Sequence, residues 1–236
     1  MQFFKRWNNI TGWAVFAVAA IVYLMTMEPV SSLWDCSEFI ATSYKLEVGH
    51  PPGAPLFMML ARLATLFAFG NPDYVGIAVN AMNSLASAFC ILFLFWTVTH
   101  LARRLLTRNG GELSVADTVA VLGAGAVGAL AYTFTDTFWF SAIEGEVYAL
   151  SSVFTALVVW LSSVTGSFIV SALILGGLFA LLAFVIYLLA IRDAVDHIRS
   201  QAETVYEVAR AAQTGYEWLT EKVTLFLRLR EEFRSK

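Results

Sequence analysis

The chain has 236 residues, of which 58% are apolar and only 14% charged, with a net charge of −3. Of the charged residues, 17 fall in residues 1–191 and 16 in the last 45, whereas soluble domains average about 25% charged side chains throughout. The body lacks the polar surface to cover a soluble domain, its hydrophobicity excludes disorder, two cysteines exclude a disulfide scaffold, and the acidic balance excludes a nucleic-acid binder.

The reading is an all-α integral membrane protein. A helix needs about 20 apolar residues to cross a bilayer, with a usable range of roughly 17–25. In chain order the spans are Ile10 to Met27, Val75 to Leu101, Val115 to Phe134 with Asp117 near its start, a short Val147 to Trp160, and an uncharged Phe168 to Ile191. Leu56 to Phe69 is shorter and carries Arg62, which predicts an interfacial or re-entrant helix. Lys5 and Arg6 precede the first span and Arg103, Arg104 and Arg108 follow the second, while Glu28, Asp35, Glu38 and Glu47 crowd the first loop. The positive-inside rule then puts the N-terminus in the cytoplasm and residues 28–74 outside, in an inner or plasma membrane. Residues 135–146 form a second outside loop on the same side. The first span has no small-x-small cleavage site and reads as an uncleaved signal anchor. Cys36 in the loop and Cys90 in a span are not expected to pair.

Gly123-Ala-Gly125-Ala-Val-Gly128 matches a dinucleotide fingerprint, but that motif works only where a strand turns into a helix. Here it lies inside an apolar span, so no nucleotide site is expected. Ala120, Ala124 and Gly128 read as a face for close helix approach. The tail beyond Ile191 repeats apolar or small residues at Val195, Ile198, Ala202, Val205, Ala209, Ala212, Tyr216, Leu219, Val223 and Phe226. This predicts a long helix, either a coiled coil that joins copies of the chain through residues 195–226 or a single amphipathic helix lying on the membrane or on the protein's own loops.

The first outer loop holds the densest polar stretch of the body, Ser31 to Gly53. Pro29 ends the first span, and Ser32 with Asp35 marks a new helix start. Asp35, Glu38 and Thr42 fall on one face of that helix, with Phe39, Ile40, Leu46 and Val48 as its apolar side. His50 precedes Pro51 and is biased to extended backbone, with Gly49 and Gly53 freeing the turns. Asp35 can serve either as a helix cap or as a catalytic carboxylate, and His50 either as a structural or as a chemical group. No His/Cys cluster with zinc-ligand spacing exists, so neither a zinc site nor a cofactor is expected, and the participation of another metal stays open.

The runs Trp34-Asp-Cys-Ser-Glu-Phe-Ile-Ala41 and Lys45-Leu-Glu-Val-Gly-His-Pro-Pro-Gly-Ala-Pro-Leu-Phe57 resemble the N-terminal signature of a family of large multi-pass membrane proteins. That family is related to the protein O-mannosyltransferase-like branch of the GT-C glycosyltransferases. Ser141-Ala-Ile-Glu-Gly-Glu-Val-Tyr-Ala-Leu-Ser-Ser152 resembles a second stretch of it, and the resemblance covers about residues 1–160. It implies transfer of a sugar from a polyprenyl-phosphate donor to an acceptor hydroxyl, on protein in many members, at the outer face of the membrane. Asp35 matches the family's first-loop acid and is the expected general base, with Glu38 sharing or orienting. His50 is the expected phosphate contact, Glu144 and Glu146 face Asp35 across the same cavity, and Arg62 either meets the phosphate or snorkels to the interface.

The expected organisation is a GT-C-like module over residues 1–162, a further span over 163–191 after a tight Ser162–Ser167 turn, and the heptad tail over 192–236. The resemblance lapses from about Leu161, so the alternative is a non-enzymatic membrane scaffold that oligomerises through its tail.

Overall fold

A computed structural model describes residues 2–51, 53–108 and 110–182, and beyond them residues 184, 185, 188, 206, 207, 210, 213–218, 220 and 222. They fall in two units, Met1–Ala183 and Phe184–Lys236. The first unit, among its described residues, is helical and has no strand. It contains α1 (Gln2–Thr26), α2 (Cys36–Lys45), α3 (Pro55–Thr65), α4 (Val75–Leu106), α5 (Val115–Thr133), α6 (Asp136–Ile143) and α7 (Val147–Thr165). An eighth helix, α8, covers Phe168–Leu182. Single 3-10 turns at Leu66–Ala68 and Pro72–Tyr74 join α3 to α4.

Local chemistry sets several of these ends. Ser114 and Asp117 form a reciprocal capping box at the start of α5. Gly166, at φ 75°, closes α7 by donating its N–H to the Ser162 carbonyl. Arg103 and Arg104 occupy the last turn of α4, where cations favour the helix dipole.

Helix α4 is the hub, packing on α1, α5 and α7. Between apolar helices in lipid, association depends on close packing more than on hydrophobic burial, and the contacts reflect this. A Cβ on Gly125 of α5 would sit 2.6 Å from Thr99 Cγ2 and 3.1 Å from the Phe95 ring of α4. Ala19 of α1, Ala88 and Phe95 of α4, Ala129 of α5 and Ala142 of α6 share one buried core. The Tyr23 hydroxyl donates to the Thr133 carbonyl at 2.9 Å and ties α1 to α5. Outward faces stay apolar, with Ile21, Val119 and Val127 exposed, as a lipid-facing surface requires.

Four helices among the described residues are long and apolar enough to span: Gln2–Thr26, Pro72–Leu106, Val115–Thr133 and Val147–Thr165. The short Val147–Trp160 span of the sequence reading thus runs to Thr165, because nothing stops the helix before Gly166; the turn consists of Gly166 and Ser167 rather than starting at Ser162. The last expected span is helical over Phe168–Leu182, shorter than a crossing, and its remainder falls largely outside the described residues. Leu56–Phe69 forms a short helix and 3-10 turn, not a crossing. The fingerprint glycines all lie within α5, with no strand before them. Its packing face is offset from the expected one: Val121, Gly125 and Ala129 are buried, whereas Ala120, Ala124 and Gly128 are exposed. Both cysteines are free and buried.

In the second unit, the described residues 213–218 are helical, with Gln213 bonded to Glu217 and Thr220 to the Tyr216 carbonyl. Of the expected seam, only Tyr216 lies among the described residues.

Candidate functional site

The site is built at the end of the bundle where the loops after α1 and α5 meet. The Glu28 N–H donates to the Ile143 carbonyl at 3.0 Å, joining the two loops directly. The first turns of α4 clasp both. Asn80 Nδ2 donates to the Glu28 and Val30 carbonyls at 2.7 and 3.1 Å. Asn83 Nδ2 donates to the Glu144 and Glu146 carbonyls at 2.5 and 2.6 Å. Ser84 donates to the Ala142 carbonyl at 3.0 Å. All three side chains are fully buried, where an unmade hydrogen bond would be expensive. Sequence reasoning missed this clasp, although polar residues at 80, 83, 84 and 87 recur at helical spacing inside an apolar span, a pattern that signals a buried polar face.

Helix α2 lies on α3. Phe39 packs edge-on to Phe57 with centroids 5.2 Å apart. The hydroxyls of Thr42 and Ser43 point to Met58 Sδ at 3.4 and 3.5 Å. Arg62 Nη1 donates to the Tyr44 carbonyl at 2.6 Å, and its guanidinium lies over the Tyr44 ring at 5.5 Å. Arg62 therefore satisfies a carbonyl at the end of α2. The helix ends at Lys45, with Leu46 in the left-handed region at φ 54°, so Leu46 and Val48 are not part of its apolar side as the sequence suggested. Thr42 also turns inward, leaving Asp35 and Glu38 as the polar members of that face.

Asp35 stands at the N-cap position of α2, but its side chain makes no capping hydrogen bond. Its neighbour Trp34 adopts φ 66° and is 90% exposed, a conformation that costs a bulky side chain energy. One turn on, Glu38 grips His50 twice. Oε1 accepts from the His50 backbone N–H at 2.6 Å, and Oε2 meets Nδ1 at 3.0 Å. Gly49 permits the approach, since a Cβ there would sit 2.9 Å from Glu38 Oε1. The other ring nitrogen, Nε2, faces Asp35 Oδ2 at 3.9 Å.

The bonds from His50 hold the Glu38 carboxyl below its usual range, and the hydrogen bond and charge of Glu38 hold His50 above its own. From the second loop, Glu146 is only 8% exposed. Its burial, with the charges of Glu144 and Asp35, pushes its carboxyl up. His50 and Glu146 thus each feel the Asp35 charge, and Glu146 also that of Glu144. Asp35, Glu38 and His50 each offer a ligand atom within 4.8 Å of the others, so they are the described residues that could hold a cation.

The family described as the Protein O-mannosyl-transferase TMEM260 N-terminal domain matches residues 35–168, more than half of the chain and a stretch that includes Asp35, Glu38, His50, Glu144 and Glu146. The chain belongs to this family. Mouse Protein O-mannosyl-transferase TMEM260 is 34% identical over 150 residues, which are 63% of this chain and 18% of that protein. The Dictyostelium discoideum protein of the same description is 27% identical over 147 residues, 62% of this chain and 16% of that protein. The chain spans less than a fifth of the length of the curated relatives it matches. No solved structure matches it significantly.

Proposed function

We propose that this chain is the N-terminal module of a membrane glycosyltransferase that moves a sugar, mannose by analogy with the named relatives, from a polyprenyl-phosphate donor to a protein hydroxyl. The Asp35 carboxylate takes the acceptor's proton as its oxygen attacks the anomeric carbon. The bond from that carbon to the phosphate oxygen breaks, and the lipid phosphate leaves with the electron pair. His50, whose protonated form Glu38 favours, offers Nε2–H toward that departing charge. Glu144 and Glu146 line the acceptor side. The reaction takes place at the face of the bilayer that carries the acidic loops, opposite the arginine-rich 102–114 connection.

The observation that carries this reading is the free Asp35 carboxylate, released from capping and set 3.9 Å from a histidine that Glu38 orients. A helix start built only for stability would use that carboxylate on its own N–H groups. Family membership over residues 35–168 supports the same reading. The test is Asp35→Asn in membranes containing the protein, assayed with a polyprenyl-phosphate mannose donor and a Ser/Thr acceptor. Transfer should fall by about 10²–10⁴, the usual worth of a general base, with membrane insertion unchanged. Undiminished transfer would remove Asp35 from the reaction, and turnover of a nucleotide sugar instead would remove the lipid-linked donor.

A further inference from the structure

A second polar cavity lies at the other end of the bundle, where α1 begins and α4 and α7 end. Its volume is about 310 Å³, and its walls include Lys5 and Asn8 of α1, Trp96, His100 and Arg103 of α4, and Trp160 of α7. An adjoining hollow of about 300 Å³ shares His100 and Arg103 and adds Arg104. Trp96 Nε1, packed against Gly12 of α1, and Asn8 Oδ1 are buried without a hydrogen-bond partner and do not open into either hollow, whose cationic walls are Lys5, Arg103 and Arg104.

The charge around them is one-sided. Among the described residues, Lys5, Arg103 and Arg104 form no ion pair. Arg103 instead lies over the Phe4 ring at 5.3 Å. The acidic groups nearby are Glu112, which borders a neighbouring hollow with Arg103, and Asp117, which is engaged by Ser114. The last carbonyls of α7 also face this end, and the His100 ring hydrogen-bonds the Ser163 backbone. Val164, common to both hollows, is half exposed on the apolar flank of the bundle, so the polar cavity is continuous with a lipid-facing surface.

We propose that this cavity holds the phosphate-bearing headgroup of an anionic membrane lipid. The phosphate meets the charges of Lys5 and Arg103, and the acyl chains follow the Val164 flank. Basic pockets between spanning helices select such headgroups. Aromatic rings at this depth sit where headgroup meets hydrocarbon. The site is separate from the Asp35 cluster and does not depend on the proposed transfer.

The test uses the full chain, released in a mild zwitterionic detergent and loaded from mixed phosphatidylglycerol and phosphatidylcholine, with retained lipid counted by native mass spectrometry. Phosphatidylglycerol should be retained preferentially. Arg103→Gln and Lys5→Gln should each lower its retention about fivefold, the equivalent of ~1 kcal/mol per basic residue at an anionic surface. Arg6→Gln, an exposed cation outside the cavity, should leave retention unchanged. Because Arg103 also packs on Phe4, Lys5→Gln decides the matter if Arg103→Gln fails to fold. Equal retention of the two lipids would overturn the proposal. So would an equal loss in Arg6→Gln, which indicates diffuse surface charge, or displacement of the lipid by inorganic phosphate, which indicates a soluble ligand.

Discussion

Glu38 holds His50 by both of its oxygens, one on the backbone N–H and one on the ring, across twelve positions of the chain. This two-point grip does more than close the loop. It fixes the ring so that Nδ1 is occupied and Nε2 is presented to Asp35. A histidine oriented by one carboxylate and aimed at another is a directional charge, and its state depends on pH.

That dependence has a definite sign. His50 is raised above its ordinary 6.5, so its share of loop stability is fully present below that value and is lost as pH rises through the higher folded value. Glu38 is lowered from 4.5, so its share is present above 4.5 and is lost as pH falls through the lower folded value. The Ser31–Gly53 loop should therefore be best protected between these limits. Hydrogen exchange of loop amides across pH 4–9 checks this, and Glu38→Gln should return the His50 titration to its ordinary range. An unchanged His50 titration in that variant would show that the pair does not form.

The Asn83 clasp should matter to both loops. Asn83→Ala removes two donors from the Glu144 and Glu146 carbonyls and should cost about 1–3 kcal/mol, as for a buried polar group left unpaired. Transfer should fall with it, although Asn83 touches no reacting atom. Thermal unfolding together with hydrogen exchange at residues 142–147 would separate a local loosening from general unfolding.

Gly76 sits where α4 meets the first loop, and a Cβ there would overlap the Val30 carbonyl oxygen, which is backbone and cannot rotate aside. Gly76→Ala should destabilise by about 1–3 kcal/mol through overpacking and loosen the Asn80 bond to Val30. Gly123→Ala is the matched control. It meets nothing within 4 Å, lies in the interior of α5, and should stabilise by up to about 1 kcal/mol through helix propensity. Melting temperatures of the two variants in one detergent compare them directly.

Glu146 carries the opposite sign from Glu38. Its folded carboxyl binds a proton more readily than the unfolded one, so stability declines as pH rises from 4.5 toward the raised folded value. Glu146→Gln should raise the melting temperature at neutral pH and flatten that decline, while lowering transfer if its charge serves the site. A lower melting temperature at neutral pH would mean that a partner stabilises the ionised form.

The sequence alone determined that the chain belongs in a bilayer, because apolar runs of spanning length cannot be covered by so few charges. It determined the main helices, the two acidic loops and the residues Asp35, Glu38 and His50, since unusual polar density inside an apolar body is visible without coordinates. It also placed the glycine run 123–128 inside an apolar span, and the structure makes that run part of the continuous helix α5. Only the tertiary structure decided which residues act together. Asn80, Asn83 and Ser84 look like incidental polar residues of a span until the carbonyls they satisfy, fifty or more positions away, are brought beside them. The free state of Asp35, the offset of the α5 packing face from 120/124/128 to 121/125/129 and the unpartnered Trp96 N–H likewise depend on which neighbour occupies each direction around a helix. Period and composition fix that a face exists, whereas its azimuth and its partners come from packing between helices that are distant in the chain.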